Sequence, residues 1–333
     1  MRMNFYDVCL EDYKRLEDEN DDSGRIQRAI DDCRHGVLYI PKGNYYISKM
    51  LKISNFCSVR MHKSAVLTAC DKMDYVLFYD GGDGFINLIS CGDDGEENED
   101  YNVFIKGGVI NGNGMASCLS INNYHHFTLK DITLLNGKNY GLKVGNRGHG
   151  YELIAANVYC KCTISGLAGN TGIATAESDS HYTDCIVIDY TTGFAVESGG
   201  SNRFTRCHVW GGIIPPVKEG EDCEMLKDSV AFSIRGDDTL LRDCYADTAK
   251  IGFKIMSDVT MSGCAYFNNY RFKLNDVTAV EHISGRLTAM QCRFSKTCPD
   301  FTVYNGDNKD LVWIGNVTPD VHTMYATGEK FDF

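Results

Sequence analysis

The sequence predicts an all-β chain, a single-stranded right-handed parallel β-helix with an N-terminal capping helix. Three observations predict it. A short strand with a cysteine at one fixed place recurs along the second half, a second strand series runs in phase with it, and one apolar-striped helix precedes both.

The helix comes first. Asp22 or Ser23 stands as its N-cap, and Ile26, Ala29, Ile30 and Cys33 form an i, i+3/i+4 stripe that ends near Gly36. A stack of coils leaves an apolar end that needs a lid, and residues 1 to about 36 are read as that lid. Val37-Leu38-Tyr39-Ile40-Pro41-Lys42-Gly43-Asn44-Tyr45-Tyr46-Ile47 then reads as strand, turn, strand.

The cysteine series is Asp184-Cys185-Ile186-Val187, Arg206-Cys207-His208-Val209, Asp243-Cys244-Tyr245-Ala246, Gly263-Cys264-Ala265-Tyr266 and Gln291-Cys292-Arg293-Phe294. Its cysteines are 22, 37, 20 and 28 residues apart. One β-helix turn takes about 20–25 residues, so the longer intervals carry loops. Upstream, Ile132 and Ala156 are read into the cysteine place, with Leu134 and Val158 two residues on. The second series places Leu142, Ile173, Phe194, Phe232 and Phe253 on one side of their strands, where like residues stack between coils. Free cysteine behaves as a small buried hydrophobe, so these thiols are read as packing. The pattern fades after about residue 300, which gives one domain over 1–333: cap to about 36, coils to about 300, C-terminal cap over about 301–333.

Bulk composition narrows the function. The chain has 333 residues, 43% of them hydrophobic, with 33 Gly and only 5 Pro, which suits many tight turns. A formal charge of −12 repels phosphate backbones, so no nucleic-acid partner is expected. The first residues, Met1-Arg2-Met3-Asn4-Phe5-Tyr6-Asp7, hold no apolar run of a signal peptide, and no stretch is apolar enough to cross a bilayer. With 15 cysteines, an odd number, this points to free thiols, a cytoplasmic location and no membrane partner. Cys160-Lys161-Cys162 has no second pair at zinc spacing, so no metal or other cofactor is expected. The acidic run from Asp93 to Asp100 could attract calcium but lacks EF-hand spacing and reads as a solvated loop.

Several segments resemble the pectin-lyase-like superfamily, and within it polygalacturonase-type proteins. They are Asp22-Ser23 with Ile26-Gln27-Arg28-Ala29-Ile30, Leu38-Tyr39-Ile40-Pro41-Lys42-Gly43-Asn44-Tyr45, and Ile105-Lys106-Gly107-Gly108-Val109-Ile110-Asn111-Gly112-Asn113-Gly114. The run from Leu119 to Tyr140 is similar to the coil that follows that motif. The resemblance implies a carbohydrate-active protein: a hydrolase or fructotransferase-like glycosidase, a lyase or epimerase, or a non-catalytic trimeric tailspike-like binder. It implies an oligosaccharide or polysaccharide partner and, if the chain associates, a homotrimer. The family's hydrolytic carboxylates do not carry over. Asn170-Thr171 precedes Gly172 without the Asp, Thr191-Thr192 stands where an Asp pair would, and Lys254 stands about where a substrate-binding Arg lies.

Outward side chains of successive coils form rows about 4.8 Å apart, so a groove draws on several coils. The catalytic candidates are Asp189, Glu197, Glu177 and Asp179, acids flanking two strands of the second series. Glycoside hydrolysis needs two carboxyls roughly 5–9.5 Å apart. Arg235, one coil beyond Glu197, and Lys254, read one coil further, are substrate-binding candidates. So are His208, Trp210, Tyr245 and Asp247: if Cys207 and Val209 point inward, these form an outer aromatic and polar wall suited to a sugar ring. A loop of roughly Gly211 to Asp228, with Pro215-Pro216, follows Trp210 and accounts for the 37-residue interval. His125-His126 and Arg147-Gly148-His149-Gly150 read as turns, and Asp237-Asp238 as a reserve acid pair.

Overall fold

The computed structural model describes residues 6–81, 102–145, 150–164, 167, 169–211, 227–267, 276–295, 301–318 and 326–327. The acidic run over 93–100, His149 and the Pro215-Pro216 loop lie outside the described residues. The chain divides into two compact units, Met1–Tyr159 and Cys160–Phe333, and each is built of coils whose strands pair in parallel.

In the first unit three strand positions repeat. Val37–Ile40, Ser58–Met61 and Phe104–Lys106 stack with Thr128–Leu135, and Gly43–Ile47, Ala65–Ala69 and Val109–Asn111 stack beside them. Leu51–Ile53, Tyr75–Asp80, Ser117–Asn122 and Tyr140–Val144 form the third position. The register lines up Leu38, Val59, Ile105 and Leu129 in one buried column and Leu51, Leu77, Leu119 and Leu142 in another. Gly107 and Gly108 make the corner between two strands with φ of 82° and 68°. A Cβ on Gly107 would sit 2.4 Å from the Met61 carbonyl oxygen, so this turn requires glycine on both counts.

The helix runs from Ser23 to Asp32 and buries Ile26, Ala29 and Ile30, as the stripe predicts. Its capping differs from expectation, because Asp22 makes no side-chain cap hydrogen bond. That carboxylate, 1% exposed, instead accepts from Arg15 at 2.8 Å and 3.0 Å, from Arg25 at 2.8 Å and from the Tyr46 amide at 2.8 Å. Burial pushes the Asp22 carboxyl up, and the Arg15 hydrogen bonds, the Tyr46 amide and the Arg25 charge together hold it below the usual range. Ser23 Oγ accepts from the Ser48 and Lys49 amides, so this pair pins the lid to the first coil rather than capping the helix.

The second unit repeats the same plan. Ile173, Phe194, Phe232, Phe253 and Val280 share one register column, with Phe194–Phe232 and Phe232–Phe253 ring centroids 5.1 Å apart. Cys185, Cys207, Cys244, Cys264 and Cys292 are all buried, one per coil. The residue before each has a left-handed backbone: Asp184, Arg206, Asp243, Gly263 and Gln291, with φ between 52° and 65°. That residue turns the corner, and the next coil's amide donates to the cysteine carbonyl, as from His208 to Cys185 and from Tyr245 to Cys207. The thiols also reach back to carbonyls, Cys244 Sγ lying 3.4 Å from Phe204 O.

Two boundaries move. Val158, not Ala156, takes the cysteine place on its coil, because the left-handed Asn157 resets the alternation and leaves Ala155 and Val158 buried. Coil pairing also continues past residue 300. Phe301–Gly306 pairs with Val277–His282, and Leu311–Ile314 with Leu287–Met290. Asn316 hides this coil from the cysteine pattern: its side chain accepts from the Cys292 amide at 2.7 Å and donates to Ala289 O at 2.9 Å.

Candidate active site

In the second unit the outward positions form two sets at opposite ends of the strand Thr192–Val196. The first lies on His208–Trp210 and Tyr245–Asp247. Val209 and Ala246 point inward, so His208, Trp210, Tyr245 and Asp247 share the outer wall, as expected. The register puts Ile186, His208 and Tyr245 in one row, and Ile188, Trp210, Asp247 and Phe267 in the next. The His208 ring stacks on Tyr245 at 3.7 Å, and Tyr245 on Phe267 at 5.7 Å. Asp189 follows Ile188 directly, with φ 57°, a buried side chain and an amide that donates to Trp210 O at 3.0 Å.

Burial sets the protonation of this wall. It lowers His208 to about 4, so the imidazole is neutral near pH 7. It raises Asp247, although the Thr248 hydroxyl, donating at 2.6 Å, offsets part of the effect. Tyr245 is raised by burial and then by the Asp247 charge. His208 Nε2 and Trp210 Nε1 are shut off from solvent and have no hydrogen-bond partner among the described residues. A carboxyl raised by burial beside a neutral imidazole and stacked aromatic rings has the make-up of a proton donor on a sugar-binding surface.

The second set lies at the other end of the strand. Glu197 and Arg235 occupy the same place on successive coils, since their amides donate to Thr175 O and Val196 O. Both are exposed, and Arg235 Nη2 lies 3.9 Å from Met256 Sδ. Met256, not Lys254, is the residue one coil beyond Arg235. Lys254 pairs with Ser233 and Glu281 in register, and its Nζ meets Glu281 Oε2 at 2.9 Å. The strands pair without a shift, and Lys254 stands two residues before the place that matches Arg235. Glu177 and Asp179 follow the Thr171–Thr175 strand on this same side, Asp179 exposed with its amide on Gly200 O.

The four acids therefore do not gather at one point. Asp189 precedes the strand Thr192–Val196 and Glu197 follows it. Four strand steps alone span about 13 Å, beyond the roughly 5–9.5 Å of a carboxyl pair. Asp189 instead shares its end with Asp247. Ile188, Trp210 and Asp247 are in register on three successive coils. Two steps of about 4.8 Å put these acids about 10 Å apart along the stack, close to the wider, inverting range.

Two features escaped the sequence reading. In the first unit a cleft of about 580 Å³ lies on the outer face of the third strand position, lined by Asp74, Tyr75, Phe78, Asp80, Ser117 and Tyr140, among others. Its neighbour Lys143 is only 3% exposed, its Nζ 5.2 Å from the Tyr140 ring centroid. Both faces of Ser117–Asn122 are buried, which erases the alternation that would have exposed this wall. His125, His126 and Glu152 form the other feature, a group of metal-type donors considered further below.

No family model matches this sequence, and no curated protein matches it either. Solved structures do. Endo-xylogalacturonan hydrolase from Aspergillus tubingensis is 12% identical with TM-score 0.56, covering 96% of this chain and 99% of the enzyme. Alginate lyase from Paenibacillus sp. str. FPU-7 is 12% identical with TM-score 0.57, over 87% and 96% of the two chains. The tailspike protein of E. coli bacteriophage HK620, solved with a pentasaccharide, is 13% identical with TM-score 0.60 over 93% of this chain. The chain spans 66% of that tailspike chain and 63% of ORF18 of Geobacillus virus E2, less than two thirds of each. At such identities the likeness speaks for architecture: the chain has the pectin-lyase-like right-handed parallel β-helix fold.

Proposed function

We propose that the protein is a carbohydrate-active enzyme that cleaves or transfers a glycosidic linkage of an oligosaccharide or polysaccharide at the aromatic wall of its second unit. One observation carries this reading: Asp247, raised by burial, stands in register between Trp210 and Phe267, with Asp189 two coil steps away. In this reading Asp247 donates the proton to the departing oxygen and Asp189 activates water or the acceptor hydroxyl on the opposite face. Trp210 holds the apolar face of a sugar ring, and the Tyr245 hydroxyl, at the rim of the stack that His208 and Phe267 form with its ring, bonds a sugar hydroxyl. Glu197, Glu177, Asp179, Arg235 and Lys254, at the far end of the strand, serve more distant sugar units. The solved neighbours support the substrate class: they include a xylogalacturonan hydrolase, an alginate lyase and a tailspike solved with a pentasaccharide.

The test is a screen of uronate, fructan and rhamnose-containing oligosaccharides, reading new reducing ends and unsaturated products separately. On any glycan that is turned over, Asp189→Asn and Asp247→Asn lose turnover and keep binding, while Glu197→Gln retains turnover. Unsaturated products would replace hydrolysis by elimination. Wild-type turnover in both Asp variants would overturn the site.

A further inference from the structure

We propose that His125, His126 and Glu152 form a site for one borderline transition-metal ion, zinc(II) before others, held by two imidazole nitrogens and one carboxylate oxygen. The site lies in the first unit, and its argument is independent of the glycan-processing reading.

Strand pairing creates it. Tyr124–His125 pairs in parallel with Gly150–Tyr151, so His125 lies opposite Tyr151, and His126 and Glu152 are the next residues on each chain segment. Both of those next residues are left-handed, His126 with φ 52° and Glu152 with φ 59°. In an extended strand His125 and His126 would point to opposite faces. The left-handed turn instead brings the two rings together, centroids 4.3 Å apart and nearly perpendicular at 85°. Among the described residues, most other left-handed residues that are not glycine are Asp or Asn, which tolerate that conformation more readily than Glu.

The donor atoms converge. One ligand atom from each residue lies within 4.8 Å of the other two. Around a tetrahedral zinc with bonds of about 2.0–2.1 Å, ligand atoms sit about 3.4 Å apart, so small side-chain rotations complete the set. His126 Nδ1 and Glu152 Oε2 are already 2.7 Å apart. That contact does not have hydrogen-bond alignment, and Glu152 Oε2 is itself occluded although its side chain is half exposed. Both atoms lie within reach of a single ion once the side chains rotate slightly apart. Two imidazoles and one carboxylate with an open fourth position are a zinc donor set, and imidazole nitrogen disfavours calcium, which takes oxygen ligands.

The test uses the full-length protein stripped with a chelator. Isothermal titration with zinc(II) should show one saturable site, with no corresponding heat from calcium(II). Cobalt(II) should give a d–d spectrum without thiolate charge-transfer bands, and zinc should raise the melting temperature. His126→Asn and Glu152→Asn remove a ligand while keeping a residue that accepts a left-handed backbone, and each should weaken zinc by roughly 100-fold. Circular dichroism on the same variants verifies folding, and His125→Gln provides a third arm. Zinc affinity unchanged in all three folded variants, no saturable site in the wild type, or cobalt bands of thiolate origin would each overturn the proposal.

Discussion

Replacing Asp247 by Asn tests the proposed chemistry and its electrostatic cause together. The carboxyl is half-buried on the aromatic wall, and burial raises it above its ordinary value of 3.8. A positioned proton donor contributes about 10²–10⁴ in rate, so the variant should lose about 2.7–5.5 kcal/mol of transition-state stabilisation. The pH dependence has a definite sign. A donor must be protonated, so wild-type kcat/KM should fall as pH rises through the raised Asp247 value, giving an acidic optimum. Stability follows the same group. Its folded-state pKa is above its unfolded one, so its contribution is fully present below 3.8 and is lost as pH rises through the folded value. Asn carries no charge to bury, so Asp247→Asn should be at least as stable as wild type at pH 7, and that difference should close below pH 3.8. Urea denaturation at a series of pH values, with kcat/KM on the glycan found by screening, measures both. A variant that is less stable at pH 7, or one whose acidic optimum is unchanged, would refute the assignment of Asp247 as a burial-raised acid.

Other perturbations read the architecture. Phe232→Ala removes a fully buried ring stacked on two neighbours and should cost about 3–5 kcal/mol in urea denaturation, whereas Phe232→Leu should cost markedly less. Thiol labelling followed by mass spectrometry should modify exposed Cys70 well before Cys185, Cys207, Cys244, Cys264 and Cys292, which should react only on unfolding. Asp22→Ala removes the buried acceptor of Arg15, Arg25 and the Tyr46 amide, and because both guanidiniums keep contact with solvent it should destabilise by about 1–3 kcal/mol. The Asp22 contribution is present above 3.8 and lost as pH falls through its lowered folded value, so wild type and Asp22→Ala should converge in acid melts.

These experiments bear unequally on fold and site because the two leave different marks in a sequence. A coil repeats its inward residues, and inward residues obey one rule, so Phe194, Phe232 and Phe253 or Cys185, Cys207 and Cys244 announce themselves wherever spacing holds. The rule fails where one residue leaves the extended conformation. Asn157 shifts the parity and displaces the assignment from Ala156 to Val158, and Asn316, standing in the cysteine place, conceals a final coil. Outward residues obey no such rule. Alternation was enough to place His208, Trp210, Tyr245 and Asp247 on one wall, because they belong to two strands directly paired. It was not enough for acids beyond strand ends. Asp189 and Glu197 flank one strand in the sequence, and its five residues, Thr192–Val196, hold them apart. Lys254 does lie on the coil after Arg235, but in the row of Ser233, so the two cations do not share a place on successive coils. The His125, His126 and Glu152 group was less legible still, since it depends on two backbone inversions that turn side chains against the strand rule. A group assembled where the repeat is broken is therefore harder to read than a wall built on its regular strands, because the residues that break the repeat are those on which repeat-based reading is weakest.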